Sequence, residues 1–485
     1  MYIKMPPLLL TLLAVLSCGS HHTDHAKKTD KPRLLVLTDI GADPDDTQSL
    51  RRLLVYANEF RIEGLIATAS GHFASDEDFR IRTDLILDAI NDYSQVRENL
   101  LLHAPGYPPS EALRPVVHGG QAERGVSNLA AGRETPGSRH IIETVDSGNE
   151  PLYIAIWGGA HDLAQALLDI KNTRSQKEVK RFTEKIRIYA IGDQDAWIGQ
   201  KGTGEWIREN FPDIRYVESG PPSIHIMTSA FRGMYQNDSR GGDHPLLPLV
   251  RSGMEQLNDQ QWVMENVNAW GPLGAGYPSS VVQNPRSERN TKGVKEGDTP
   301  SWFFVFPYGL NDPEHPEWGG WGGRFVHQGG GHYIDAGDDH WSGEDDSSLR
   351  RKWTVARWRE AYQNDFAARM RWTVLPYDEA NHNPVVIIDH DTTSRILRRN
   401  IKPGSTVTID ASASHDPDGD DIDFNWWVYR EISSSGVILS SARNSAVIAE
   451  VPEGMEKGEV HLILEVKDDG NPELYAYRRI ILRVD

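Results

Sequence analysis

The sequence predicts an α/β protein with a doubly wound, largely parallel sheet, followed by a small all-β sandwich of immunoglobulin type. Three observations carry this. Short apolar runs alternate with helix-period segments over about 200 residues, the sign of repeated β-α-β units. Several of those runs end at Asp- or Gly-rich loops. The last hundred residues then switch to period-two alternation broken by Gly, Asp and Pro turns.

The elements follow in chain order. "RLLVLT" (33–38) is almost continuously apolar, as a strand buried on both faces should be. Leu50, Leu53, Leu54 and Ala57 then keep helical spacing, and "FRIEGLIATAS" supplies the next strand. "DFRIRTDLILDAIND" reads as an amphipathic helix, "PLYIAIWGGAHDLAQALLDI" as strand, Gly turn and helix, and "KIRIYAIGDQDAWI" as a further strand ending in polar residues. From Trp270 to Trp341 periodicity weakens and Gly, Trp, Pro and Asp dominate; so long an irregular stretch inside a domain is usually functional. "SLRRKWTVARWREAYQNDFAARMRW" is helical and "LPYDEANHNP" reads as a linker. "STVTIDAS", "IDFNWWVYR", "SAVIAEV", "EVHLILEVKD" and "LYAYRRIILRV" are the sandwich strands, with Val460, Leu462, Leu464 and Val466 on one face.

A length of 485 residues implies more than one compact unit. The expected division is a signal peptide (1–18), a flexible tether (19–31), the α/β domain (32–370), a linker (371–384) and the sandwich (385–485). The run Pro6–Leu16 is too short to span a bilayer and has the layout of a secretory signal. "VLSC" resembles a lipobox, which implies that Cys18 is a lipid anchor; the alternative is an ordinary signal cut near Ser20 with an incidental cysteine. On either reading the chain is expected to be exported, held at the outer membrane or in the periplasm. A single cysteine leaves no internal disulfide. The net charge of -19 disfavours nucleic acid and leaves cations or neutral ligands as partners; a homo-oligomer is left open.

"TDIGADPDD" gathers Asp39, Asp43, Asp45 and Asp46 within eight positions after the first strand. Helix-start chemistry accounts for part of it: Asp43 suits an N-cap, Pro44 the first helical position, and Asp45 and Asp46 the positive helix end. Asp39 is left over, at the mouth of a buried strand. Carboxylates so close repel one another unless a cation neutralises them, and Ca2+, which takes six to eight oxygens, suits such a site.

That turn resembles the N-terminal signature of nucleoside hydrolases, a calcium-dependent family with a doubly wound fold. Together with "IWGGAHDLAQAL", "EGDTPSWFFVFPYGLNDPEHPEWGGWGGRF" and "DPDGDDIDFNWW", it is more closely similar to a family of secreted bacterial cellulose-binding proteins. These have a nucleoside-hydrolase-like domain and a β-sandwich C-terminus. The resemblance implies that Asp39 touches both calcium and the attacking water, that Asp45 holds a sugar hydroxyl, and that Asp46 and Asp298 are calcium ligands. It also implies that the His161 backbone carbonyl is a ligand, and that Gly71 and His72 fall where the family has a Gly-Asn pair against the ribose. One position departs from the pattern: many nucleoside hydrolases carry a leaving-group His where this chain has Gly297. Loss of that acid argues against nucleosides. Glu296, Asp193 and Asp195 are the acid candidates near in sequence, Asp195 being also assigned to substrate contact.

Trp197, Trp318, Trp321 and Trp341 lie in Gly/Asp/Pro-rich loops and suggest platforms for sugar rings, with Trp321 assigned to substrate. His327, His332 and His340 fit no zinc spacing and read as structural or substrate-facing. "SHDPDGDDIDFNWW" resembles the Asp-rich turn of polycystic-kidney-disease-like and cadherin-like modules, and reads as a plain turn, with a weak calcium site as the lesser alternative. Trp426 and Trp427 must point to opposite faces of their strand. The functional expectation is a calcium-dependent glycoside hydrolase acting on poly- or oligosaccharide, with a furanoside in view. The competing reading is a non-catalytic cellulose or carbohydrate binder; nucleoside salvage ranks third.

Overall fold

The computed structural model describes residues 31–71, 81–196, 201–224, 226–235, 254–284, 287–339, 343, 345–434 and 436–485. The expectations for Cys18, His72, Trp197, His340 and Trp341 lie outside the described residues. Pro32–Asp485 is one compact unit.

Its main sheet is built from β1 (Arg33–Thr38), β2 (Arg61–Ala67), β3 (Val117–Gly119), β4 (Leu152–Ile156), β5 (Ile186–Ile191) and β6 (Arg215–Ser219). A hairpin, β7 (Ser280–Asn284) and β8 (Ser287–Lys292), stands apart, and β9 (Phe325–Gly329) and β10 (His332–Asp335) complete the sheet. The order is β3-β2-β1-β4-β5-β6-β10-β9, parallel except for the last pair. Part of the stretch between Trp270 and Trp341 is therefore ordered strand rather than irregular loop. These strands are short; the edge strand β9 is exposed beyond Phe325 and its neighbour β10 is half-buried, so they carry no buried apolar pattern.

Why β1 reads as apolar on both faces is plain from its packing. Leu34 and Val36 enter one core layer, and Leu35 and Leu37 enter the other. The chain leaves β1 towards β2 and β3, then returns to its other side at β4. That reversal opens a crevice at the carboxyl ends of β1 and β4, where ligands of doubly wound sheets sit.

The C-terminal part forms two sheets, β11 (Leu397–Ile401), β17 (Tyr475–Val484), β16 (Gly458–Asp468) and β13 (Ile422–Val428) in one, and β12 (Thr406–Asp410), β15 (Ala446–Glu450) and β14 (Ile438–Ser440) in the other. Val460, Leu462, Leu464 and Val466 close a core with Ile409, Val447 and Ala449, as their alternation requires. The opposite face of the larger sheet is buried too. Ile463 and Tyr477 join the α/β core, Trp426 points into the sandwich, and Trp427 lies tilted against Trp358 with ring centres 5.8 Å apart.

Arg479 fastens this junction. Fully buried, it donates to the carbonyls of Leu310 (2.5 Å), Trp318 (2.9 Å) and Gly319 (3.1 Å). Its removal leaves three buried acceptors unpaired, so Arg479→Leu is expected to cost about 3 kcal/mol. Urea unfolding measures it; a midpoint equal to that of the wild type rejects the assignment.

Candidate metal centre

The crevice holds the acidic turn. Helix α1 (Pro44–Val55) begins with Pro44 at its first turn, and Asp45 and Asp46 lie at its positive end. Asp43 occupies the N-cap with extended backbone, yet makes no capping bond through its side chain. Its carboxylate instead pairs with Lys295, which also lies 3.8 Å from Asp45. That overturns the N-cap role for the Asp43 side chain: a buried ammonium outcompetes a backbone N–H.

Asp298 arrives from a remote segment at the start of the helix Thr299–Phe303. One oxygen from each of Asp45, Asp46 and Asp298 falls within 4.8 Å of the others. Asp46 and Asp298 are 2 % exposed, and Asp298 Oδ2 has no hydrogen-bond partner. Thr38 Oγ1 donates to Asp46 and Ser70 Oγ to Asp39, which fixes two carboxylates in orientation. Asp39 is buried against Gly158: a Cβ built there sits 2.8 Å from Asp39 Oδ1, so only glycine lets β4 end so close to this carboxylate.

Burial, then the Asp43 charge, pushes Asp45 up to about 8 despite the opposing Lys295. Burial followed by Asp39 and Asp45 raises Asp46 well above the usual carboxylate range. Burial followed by Asp46, Asp45 and Asp39 does the same to Asp298. A nest of mutually repelling oxygens with an orphaned buried lone pair fits a hard divalent cation, and the donor set is the all-oxygen one calcium prefers.

The other sequence expectations fare differently. Gly71 is buried beside the turn, its N–H on the Gln194 carbonyl (2.8 Å). His161 opens the helix His161–Thr173, buried, with neither ring nitrogen hydrogen-bonded; burial lowers its pKa to about 4. Asp195 packs near Gly159 but turns both oxygens to Thr203, and Asp193 accepts from the N–H groups of Gly204 (3.0 Å) and Glu205 (2.7 Å). Both carboxylates thus tie down the start of the helix Thr203–Asn210. Glu296 is fully buried, ion-paired with Arg52 at 2.5 Å and accepting from Tyr277 and Thr299.

Trp318 and Trp321 are not open platforms; both are buried in aromatic packing, Trp321 against Tyr308 at 4.4 Å. Their Gly-rich loop is covered by β16 and β17, which the loop composition does not reveal. His327 and His332 are structural, bonded to the Gly330 carbonyl (2.8 Å) and to Glu218 (2.9 Å).

Two site residues escape sequence reasoning. Lys295 is one, and its position three residues before Asp298 is the only local signal for it. Tyr235 is the other. A Cβ built on Gly297 sits 2.8 Å from the Tyr235 hydroxyl, which also lies 3.4 Å from Asp45 Oδ2. The phenol therefore fills the space that a side chain at 297 would take.

Comparison with known proteins identifies the family. Residues 33–325 match the model described as "Cellulose-binding Sde182, nucleoside hydrolase-like domain", and residues 406–484 match "Cellulose-binding protein Sde0182, C-terminal domain". A nucleoside hydrolase-related hypothetical protein from Saccharophagus degradans, associated with carbohydrate metabolism, is 31% identical with a TM-score of 0.74. The match covers 94% of this chain and 100% of that one. A plant nucleoside hydrolase, PpNRh1, is 12% identical over 67% of this chain and 99% of its own, with a TM-score of 0.33, too low to bear on function. No curated protein matches. With three fifths of its length under the first model and a relative aligned end to end, the chain belongs to the cellulose-binding Sde182 family, whose N-terminal domain is nucleoside hydrolase-like.

Proposed function

We propose that this protein hydrolyses a glycosidic bond in a poly- or oligosaccharide outside the cytoplasm, anchored through Cys18, with calcium at the acidic turn. The observation that carries the reading is the meeting of Asp45 and Asp46 with Asp298, some 250 positions away in the chain, around an orphaned carboxylate oxygen. Asp46, Asp298 and Asp45 would hold the ion, with Asp39 and the His161 carbonyl beside them. Calcium bound there supplies charge neutralisation and an anchor for vicinal sugar hydroxyls. Asp39, oriented by Ser70, is the base that takes a proton from the attacking water.

The leaving oxygen needs a donor. Glu296, Asp193 and Asp195 are committed to structural bonds, which leaves the Tyr235 hydroxyl, packed beside Gly297 and donating to Asp45 at 3.4 Å. Burial keeps that phenol protonated, its pKa well above 10. The same occupancy of the carboxylates favours the second reading, a carbohydrate binder without turnover. Among the described residues no helix is long and apolar enough to cross a membrane.

Reducing-sugar release from a glycan panel, with calcium and with a chelator, tests the reading. Asp39→Ala is expected to lower the rate roughly 10²–10⁴-fold, and Tyr235→Phe to lower it less. Retention on insoluble cellulose with no product from any glycan replaces the enzyme with the binder.

A further inference from the structure

Where the α/β layers meet the sandwich, a chain of hydrogen bonds runs through two histidines. His103 ends the helix Thr83–His103, His382 lies in the stretch that leads into the sandwich, and Asp418 belongs to the Asp-rich turn before β13. His103 Nε2 meets the Leu375 carbonyl at 2.9 Å, and His103 Nδ1 meets His382 Nε2 at 2.9 Å. His382 Nδ1 lies 3.0 Å from both Asp418 oxygens. Two further rings hold the pair in place: Trp372 stacks on His103 at 5.3 Å with planes 3° apart, and Tyr377 stacks on His382 at 4.0 Å.

Proton counting sets the state in which this chain is complete. The Leu375 carbonyl, which also takes the Asn99 amide at 2.7 Å, can only accept, and so can the ionised Asp418 carboxylate. Each of the three gaps therefore needs one proton, and two imidazoles that hold three protons carry a single positive charge. With two protons, one gap sets lone pairs face to face. With four, the rings turn N–H groups on each other. Only the singly charged pair makes all three bonds, and it then balances Asp418.

The groups around the pair are fixed. Burial lowers the His103 pKa, helped by the His382 charge and opposed by the Leu375 carbonyl and Asp418, so His103 resists a second charge. Asp418 and Asp416 act on the Tyr377 phenol. Arg369 lies over the Trp372 ring at 5.2 Å, its charge taken by Asp365 and Glu59. Asp468 accepts from Asn381, the neighbour of His382, at 3.2 Å.

We infer that this chain is a pH-sensitive fastening between the α/β domain and the sandwich, complete in the middle of the histidine range and weakened on either side of it. The two rings titrate as a pair. A histidine whose folded pKa is lowered contributes stability that is fully present above the unfolded value, about 6.5, and is lost as pH falls towards the folded one. On the alkaline side the pair sheds the charge that balances Asp418, and that contribution is lost as pH rises. The fastening goes beyond the hydrolase reading and needs neither the metal nor turnover.

Thermal melts in chelator from about pH 4.5 to about pH 8.5 test it, read as wild type minus variant so that the contribution of the acidic turn cancels. His103→Gln keeps the bonds to Leu375 and His382 but has no ring to charge. The wild type should therefore lose roughly 2–4 °C against it below about pH 6.5. Asp418→Asn can donate its amide to His382 Nδ1, which completes the chain with two neutral rings. Against that variant the wild type should lose a similar amount above about pH 6.5. A constant offset across its limb, as a merely structural role would give, overturns the assignment for either variant.

Discussion

Asp298→Asn is expected to make the calcium-free protein more stable and, at the same time, to remove its response to calcium. The carboxylates of Asp45, Asp46 and Asp298 are raised chiefly by burial and then by neighbouring carboxylates, Asp43 for Asp45, Asp39 for Asp46 and Asp46 for Asp298. A carboxyl whose folded pKa exceeds its unfolded value contributes stability that is fully present below the unfolded value, near 4. The contribution is lost as pH rises through the folded pKa. For Asp45 the window therefore runs from about 4 to about 8. The metal-free wild type should thus lose stability across it, by an amount on the order of a few kcal/mol.

Calcium needs the same carboxylates unprotonated, so its stabilising effect should grow over that window. At a hundredfold excess over Kd it is about 2.7 kcal/mol. In the Asp298→Asn variant one repelling charge and one ligand disappear together. Thermal melts from pH 4 to pH 8, with chelator and with calcium, read both effects. A calcium-induced shift of wild-type size in the variant would falsify the metal centre.

The second large effect concerns a residue that the sequence offers as a catalytic acid. Glu296→Ala should cost about 3–5 kcal/mol, because it strands a buried guanidinium. Arg52 is wholly buried, donates to Gln363 at 2.6 Å and lies 3.8 Å from the centre of the Phe366 ring. Burial pushes its pKa down, but Glu296 together with Tyr277 and Tyr56 more than offsets this, leaving it above its ordinary value. The double variant Arg52→Met with Glu296→Leu should recover most of the loss, since removing both charges removes the desolvation cost. Urea midpoints decide. A Glu296→Gln protein with wild-type stability and no activity would restore Glu296 as an acid.

What can be read before folding is local. The Asp-rich turn, the helix it opens and the buried strand before it need only neighbouring residues, so "TDIGADPDD" announces them. The alternation of Val460, Leu462, Leu464 and Val466 likewise reports a buried face. It says nothing of Ile463 on the other side, which is buried only because a second layer covers it. Trp318 and Trp321 depart from expectation for the same reason: composition marks a Gly-rich loop, while its cover comes from β16 and β17, well over a hundred residues later.

The amino-acid order by itself determined the class of the fold, the clustering of Asp39, Asp43, Asp45 and Asp46, and the excess of negative charge. Only the tertiary structure decided which carboxylates converge, which are spent on Thr203 or Arg52, and that Lys295 and Tyr235 stand among them. Patterns along a chain report burial and turns, which act over a few residues. A site assembled from strand ends depends on where distant segments are brought by packing, and Coulomb repulsion and hydrogen bonding then act on the distances that packing leaves.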